Sequence, residues 1–168
     1  MSSLAADQFE AAFDRLHRLN QETDCVIKVT EAPHYRRFVV QKEAGAGRPG
    51  AEASERIRHV LARPRGVGNT LGLSPQAVNA GKGFAFVDYL GNVCPSGFLP
   101  ITAGNVRQTK LSELYREAPI FVTLRNPELL KGKCGRCEFA RMCGGSRARA
   151  AAVTGDFLAS DPFCAYEP

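Results

Sequence analysis

The chain has 168 residues, a net charge of +5, 44% hydrophobic residues and 23% charged residues. That length suits one domain, or a small domain with a piece of another, and the hydrophobic share is enough for a core. No run of 18 apolar residues occurs, so no transmembrane helix is expected, and Met1 to Asp7 lacks the basic and apolar regions of a secretory signal.

From Ser3 to Asn20, the residues Phe9, Ala12, Phe13, Leu16 and Leu19 recur at the spacing of one helical face, and Ser3 suits the N-cap. Cys25-Val26-Ile27-Lys28-Val29-Thr30 reads as a strand buried on both faces, with Cys25 a small buried residue at its start. Helix then strand is half of an α/β repeat, which cannot bury itself alone. Glu31 to Arg37 reads as a polar loop in which Pro33 stops the strand and His34 is a hydrogen-bonded loop residue. Such a segment can also face a ligand, because functional groups of α/β folds collect at the C-terminal ends of strands.

Gln41 to Ser54 carries Gly45, Gly47, Pro49 and Gly50 and reads as a linker. Glu55 to Leu61 reads as a short helix, and Arg65 to Gly83 as irregular. Phe84 to Asp88 and Val93 to Pro95 read as two strands around a turn containing Gly91-Asn92. Gly97 to Arg107 reads as a loop. Thr109 is expected to cap a helix reaching Glu117, with Leu111, Leu114 and Tyr115 facing inward. Pro119 suits the first turn of a second helix carrying Ile120, Phe121 and Leu124, which Asn126-Pro127 breaks.

The last 35 residues hold four of the six cysteines, as C-x2-C-x5-C-x20-C: Cys134, Cys137, Cys143 and Cys164. In a reducing, cytoplasmic setting, thiols at short fixed spacings favour a metal site over disulfides or unrelated buried thiols. Four thiolates fill a tetrahedral zinc site or hold one [4Fe–4S] cluster, and the spacing admits both. Gly132 and Gly135 let the backbone fold close to a metal, Glu138 to Met142 suits one helical turn, and Arg147 to Val153 reads as a helix ended by Gly155. The amides of Gly144 and Gly145 are candidate donors to sulfur. Lys131, Lys133, Arg136, Arg141, Arg147 and Arg149 flank the cysteines. They read either as a solvated basic face or as local charge balance for thiolates. No aromatic interleaving accompanies them, so nucleic acid is not an expected partner.

These pieces form a larger pattern. Gly91, Val93 and Pro95 of a hairpin are followed by Gly104-Asn105-Val106-Arg107 and Leu111-Ser112-Glu113-Leu114-Tyr115. Then come Cys134, Cys137, Cys143, Gly144, Gly145 and Cys164. Together they resemble a SPASM or twitch domain, the C-terminal auxiliary-cluster domain of radical S-adenosylmethionine enzymes. The Glu31 to Arg37 segment resembles the loop after a late strand of the radical-enzyme barrel. The resemblance implies an α+β fold. Residues 1–40 would be a helix–strand remnant of the end of a partial (β/α) barrel, and 41–80 a linker. Residues 81–168 would be a small SPASM-like domain, a β-hairpin plus short helices around a four-cysteine cluster.

The resemblance assigns Cys134, Cys137, Cys143 and Cys164 to one [4Fe–4S] cluster. A two-cluster SPASM domain would carry further cysteines near Asn79, at Ser96 and at Arg147, and Cys94 is not counted as a ligand. The one-cluster form resembles relatives that modify haem-type tetrapyrroles or peptides. The C-x3-C-x2-C motif that binds S-adenosylmethionine does not occur in this chain. The chain alone is therefore expected to be inactive, with S-adenosylmethionine bound only in a complete enzyme or with a partner chain supplying the core. No catalytic residue is assigned. A structural zinc module that binds a partner is the alternative.

Overall fold

A computed structural model describes residues 4–23, 29, 31–44 and 79–168. The strand at Cys25 to Thr30, apart from Val29, the helix at Glu55 to Leu61, most of the 41–80 segment and Cys25 lie outside the described residues, while the N-cap expected at Ser3 falls instead at Ala5, where the first helix begins.

Helix α1 spans Ala6–Glu22 and α2 spans His34–Ala44. The apolar stripe of α1 buries Phe13, with Phe9 and Leu16 beside it, against Ala32, Tyr35, Phe38 and Val39. Leu19, expected on that face, is exposed. The N-terminus is held by Gln8, whose Oε1 accepts from the Ala5 N–H at 2.8 Å.

Helix α2 corrects two expectations, because it takes in His34 to Arg37 of the expected loop and Gln41 to Ala44 of the expected linker. Pro33, expected to act as a breaker, stands just before the first helical turn, where a missing N–H costs nothing. The helix buries His34, Tyr35, Arg37, Phe38, Val39 and Val40, so it shows no simple amphipathic stripe to the reader of the sequence.

The sheet has three short antiparallel strands in the order β1 (Phe86–Val87), β2 (Asn92–Cys94), β3 (Gly104–Asn105). Phe86 pairs with Cys94 and Val87 with Val93, while Asn92 pairs with Asn105 and Val93 with Gly104. The hairpin turn is built on Asp88, whose Oδ1 accepts from the N–H groups of Leu90 and Asn92 at 2.9 and 2.8 Å. Strand β3 falls in the expected loop. It owes its extended form to pairing with β2 rather than to β propensity, and Gly104 at φ +146° leaves the room that Leu114 occupies.

Helix α3 (Leu111–Glu117) and helix α4 (Pro119–Arg125) follow. Leu114 and Phe121 close over Val93 in one core, whereas Leu111 is exposed and Lys110, not Thr109, occupies the N-cap position. A 3-10 turn at Pro127–Leu129, capped by the Asn126 side chain, leads to α5 (Gly132–Arg136). Helix α6 (Arg147–Thr154) is capped at one end by Ser146 Oγ, which accepts from the Arg149 N–H at 3.2 Å. It ends at Gly155 in the left-handed conformation. Ala148 of α6 packs with Ala80 and Leu99 in a further core.

The N-terminal helices dock on this unit through a few defined contacts. Arg149 donates to the Glu31 carbonyl at 2.7 Å, and Ser146 Oγ donates to the Glu31 carboxylate at 3.0 Å. Glu31 itself sits at φ +57°, a strained value for a non-glycine that these contacts on both its carbonyl and its side chain hold in place. The Arg149 guanidinium lies beside the stacked Phe9 and Phe163 rings, 5.2 and 4.9 Å from their centroids, and bonds the fully buried Asp161 carboxylate at 3.0 Å. Replacing Arg149 with Ala leaves Asp161 with a buried, unbalanced charge. A loss of about 3–5 kcal/mol is expected from the midpoint of chemical denaturation.

His34, expected to be a hydrogen-bonded loop residue, is instead fully buried against Phe9 and Phe13, and neither ring nitrogen has a hydrogen-bond partner. Burial lowers its pKa from 6.5 to about 4, against the opposing pull of Asp161. The unfolded chain therefore takes up a proton that the folded chain refuses. Stability contributed by neutral His34 is complete above pH 6.5 and is lost as the pH falls towards 4. Denaturation midpoints measured across that window should fall with acid, and His34→Phe should flatten the decline.

Candidate metal centre

Cys134 lies within the short helix α5, whose entry requires two glycines. Gly132 takes φ +55° against Ser160, and a Cβ on Gly135 would run into the Leu130 carbonyl. Cys137 follows directly. Glu138 to Met142 forms hydrogen-bonded turns rather than a regular helical turn, with the Cys143 N–H donating to the Phe139 carbonyl at 2.7 Å. Phe139 is buried beneath this turn and meets the Tyr166 ring edge-on at 5.6 Å between centroids. Gly144 and Gly145 take consecutive positive φ values of 64° and 63°. This reversal returns the backbone to Cys143, and the Gly145 N–H donates to Cys143 Sγ at 3.4 Å.

The return loop then delivers Cys164. All four thiols line one partly open cavity, alongside Arg37, Lys133, Gly145 and Tyr166. Two of the sulfurs accept a backbone N–H: Cys134 from Asp161 at 3.4 Å and Cys143 from Gly145. The Gly145 donor is two residues beyond its cysteine, so local chain reversal makes that bond. Cys94 stays in strand β2 and does not line the cavity.

Burial drives the free thiols towards the neutral form. It pushes Cys137 up to about 11 and Cys143 up to about 12, and it raises Cys164 as well. Negative charge here needs compensation. Of the six flanking cations, Lys131 pairs with Asp156, Arg141 with Glu128 and Arg149 with Asp161. Arg136 is exposed. Lys133 reaches the Cys164 carbonyl at 2.5 Å, and Arg147 alone of the six reaches a cysteine sulfur, Cys134 Sγ at 3.7 Å.

Two further cations come from α2. Arg37 lines the cavity, and Arg36 lies within electrostatic range of Cys143 with its buried Nη1 lacking a hydrogen-bond partner. The sequence gives no sign of them beside the cysteines, because about a hundred positions separate them and only tertiary packing brings them together.

The positions where a two-cluster pattern would have further cysteines carry polar substitutes with structural work. Asn79 Nδ2 donates to the Cys143 and Gly145 carbonyls at 3.0 and 2.7 Å, bracing the double-glycine reversal. Ser96 Oγ faces the Glu31 carboxylate at 3.5 Å. Arg147 is buried under the site.

The donor set is all sulfur. Among the described residues, no three His, Cys, Asp or Glu side chains converge closely enough to hold a single metal ion. A mononuclear zinc would draw its sulfur ligands to about 2.3 Å. Four thiols lining one cavity supply the donor set of either one zinc or one [4Fe–4S] cluster.

No family model matches the chain. It is 39% identical over 160 residues to the AdoMet-dependent heme synthase of Methanosarcina barkeri, a match covering 95% of this chain and 42% of that relative. It is 43% identical over 89 residues to the pre-heme d1 synthase of Dinoroseobacter shibae, covering 51% of this chain and 22% of the relative. It is 34% identical over 105 residues to the PqqA peptide cyclase of Gluconobacter oxydans, covering 56% and 28%. The chain thus spans less than half the length of these curated relatives. It belongs to the radical S-adenosylmethionine enzyme family of the SPASM type.

Proposed function

We propose that this chain is the C-terminal part of a radical S-adenosylmethionine/SPASM-type protein, in which Cys134, Cys137, Cys143 and Cys164 ligate one auxiliary [4Fe–4S] cluster. The observation that carries this reading is the shared cavity walled by all four thiols, two of which accept a backbone N–H. Hydrogen bonds to sulfur, net charge and burial are the protein's means of tuning such a group. When bound, the cluster supplies one-electron transfer. The chain's own residues hold the Cys143 reversal with Asn79 and set local charge with Arg147, while the two cations on the cavity wall, Arg37 and Lys133, are paired with Glu10 and Glu167. With four protein thiolates no iron is left open, so the role is electron transfer to or from a substrate radical, or the shaping of a substrate pocket.

The matches favour tetrapyrrole over peptide as the substrate class. The relatives named heme synthases match 95–98% of this chain at 32–39% identity, whereas the peptide cyclases match 56–73% at 30–34%. In this reading residues 81–168 form the SPASM-like domain, and residues 1–40 close a partial barrel. The S-adenosylmethionine-binding core, whose C-x3-C-x2-C motif does not occur here, comes from the rest of a longer protein or from a partner chain. We place the protein in the cytoplasm, where thiols stay reduced. Among the described residues no helix is long and apolar enough to cross a membrane.

The test is metal analysis of protein purified without oxygen, with an electron paramagnetic resonance spectrum after dithionite reduction. About four irons and four sulfides per chain and a reduced-cluster signal are expected for one [4Fe–4S] group. One zinc and no iron would instead support a structural zinc module and end the cluster reading. Cys143→Ala should lower bound iron and broaden or abolish the signal, while Cys94→Ala should leave both unchanged.

A further inference from the structure

Arg147 is unlike the other cations around the cysteines. It opens helix α6 and is only 2% exposed. Its Nε donates to the Gly145 carbonyl at 3.3 Å, and Nη1 donates to the Phe157 and Ala159 carbonyls at 2.8 Å each. Nη2 points at Cys134 Sγ, 3.7 Å away. Among the described residues no carboxylate lies within ion-pair distance of this guanidinium, whereas Lys131, Arg141 and Arg149 each have one. A buried cation whose other contacts are neutral carbonyls is strongly unfavourable unless an anion stands nearby. Asp161 acts on it from beyond ion-pair distance, and the group that its Nη2 touches is the cavity sulfur of Cys134.

The surrounding chain fixes this approach. The two carbonyls of the 157–159 loop hold one side of the planar fork, which points its other side at the sulfur. Gly145 makes room for it, since a Cβ there would lie 2.7 Å from Nη2 and 3.2 Å from Cys134 Sγ. Cys134 also accepts the Asp161 N–H, so the same sulfur carries two donors.

We propose that Arg147 is the charge-balancing residue of the cysteine site, favouring the more negative, reduced form of the bound cluster and so raising its reduction potential. This rests on the cluster reading above. Reduction adds one electron to a site already made anionic by four thiolates, and a fixed positive charge in a buried, weakly screened position stabilises that state more than the oxidised one. The residue acts on the potential of the site, not on the reacting atoms of a substrate.

The experiment is a potentiometric titration, followed by electron paramagnetic resonance, of anaerobically purified wild-type, Arg147→Gln and Arg147→Lys protein with iron and sulfide quantified in each. The Gln variant should titrate at a more negative midpoint than wild type at equal iron content, and the Lys variant should stay closer to wild type because it keeps the charge. An unmoved Gln midpoint, or a Lys midpoint displaced as far as that of Gln, overturns the inference. Should the Gln variant hold no iron, a chain ligated at Cys143 with citrulline at position 147 keeps the shape of the side chain and removes only its charge. The same negative displacement is expected there, and an unmoved midpoint again overturns the inference. Wild-type protein without iron would end the cluster reading and this inference together, whereas iron-loaded wild type with an unmoved Gln midpoint ends this inference alone.

Discussion

The arrangement of the four cysteines depends on the buried carboxylate of Asp161. It has no exposure to solvent, and a charge so placed is tolerated only if it is matched in full. The match comes from three parts of the chain. Ser146 gives its N–H at the entry to α6, Phe163 gives its N–H from the last loop, and Arg149 gives its guanidinium. The backbone N–H of the same residue goes to Cys134. One residue therefore ties the helix after the double glycine, the loop before Cys164 and the first thiol into a single unit. The distance between Cys134 and Cys164 along the chain is bridged by this knot rather than by regular secondary structure.

Arg149 extends the knot outward. By bonding Asp161 on one side and the Glu31 carbonyl on the other, it makes the docking of α1 and α2 conditional on the folding of the cysteine loops. The two stacked aromatic rings beside it come from both halves, Phe9 from α1 and Phe163 from the last loop. His34 shares the same enclosed space and has to remain neutral there. The N-terminal helices are thus not a loose appendage. They bring Arg36 and Arg37 to the cysteine site and cover one side of it.

Two kinds of interaction stabilise the site itself, and they differ in range. The N–H···S contact from Gly145 to Cys143 is local, made by the chain two residues past the cysteine, and needs only that turn to form. The charge of Arg147 and the brace from Asn79 are tertiary and arrive only when separate cores close. The local contact orients one sulfur. The tertiary set decides how much negative charge the enclosed site can hold.

Much of this was legible in the sequence because it is encoded by spacing. The C-x2-C-x5-C-x20-C pattern identifies which four thiols share a cavity, Gly91 marks the hairpin, Pro119 and Gly155 mark helix ends, and Gly145 is a candidate donor to sulfur. Each follows from local chemistry: a backbone angle only glycine takes cheaply, a missing N–H, a fixed number of residues in a loop. Elements lacking such local marks are not legible in this way. Helix α2 is buried nearly all round and begins after a proline, so its first residues read as a loop. Strand β3 exists only through its pairing with β2. The charge on the site was legible only in part, since most of the flanking cations are spent on nearby acids or face solvent, while Arg36 and Arg37 come from far along the chain. The identity of the four clustered thiols is thus a property of the sequence. Which cations face them, and which sulfur bears the strongest field, were decided by tertiary packing, because burial and three-dimensional proximity determine what a charge is worth.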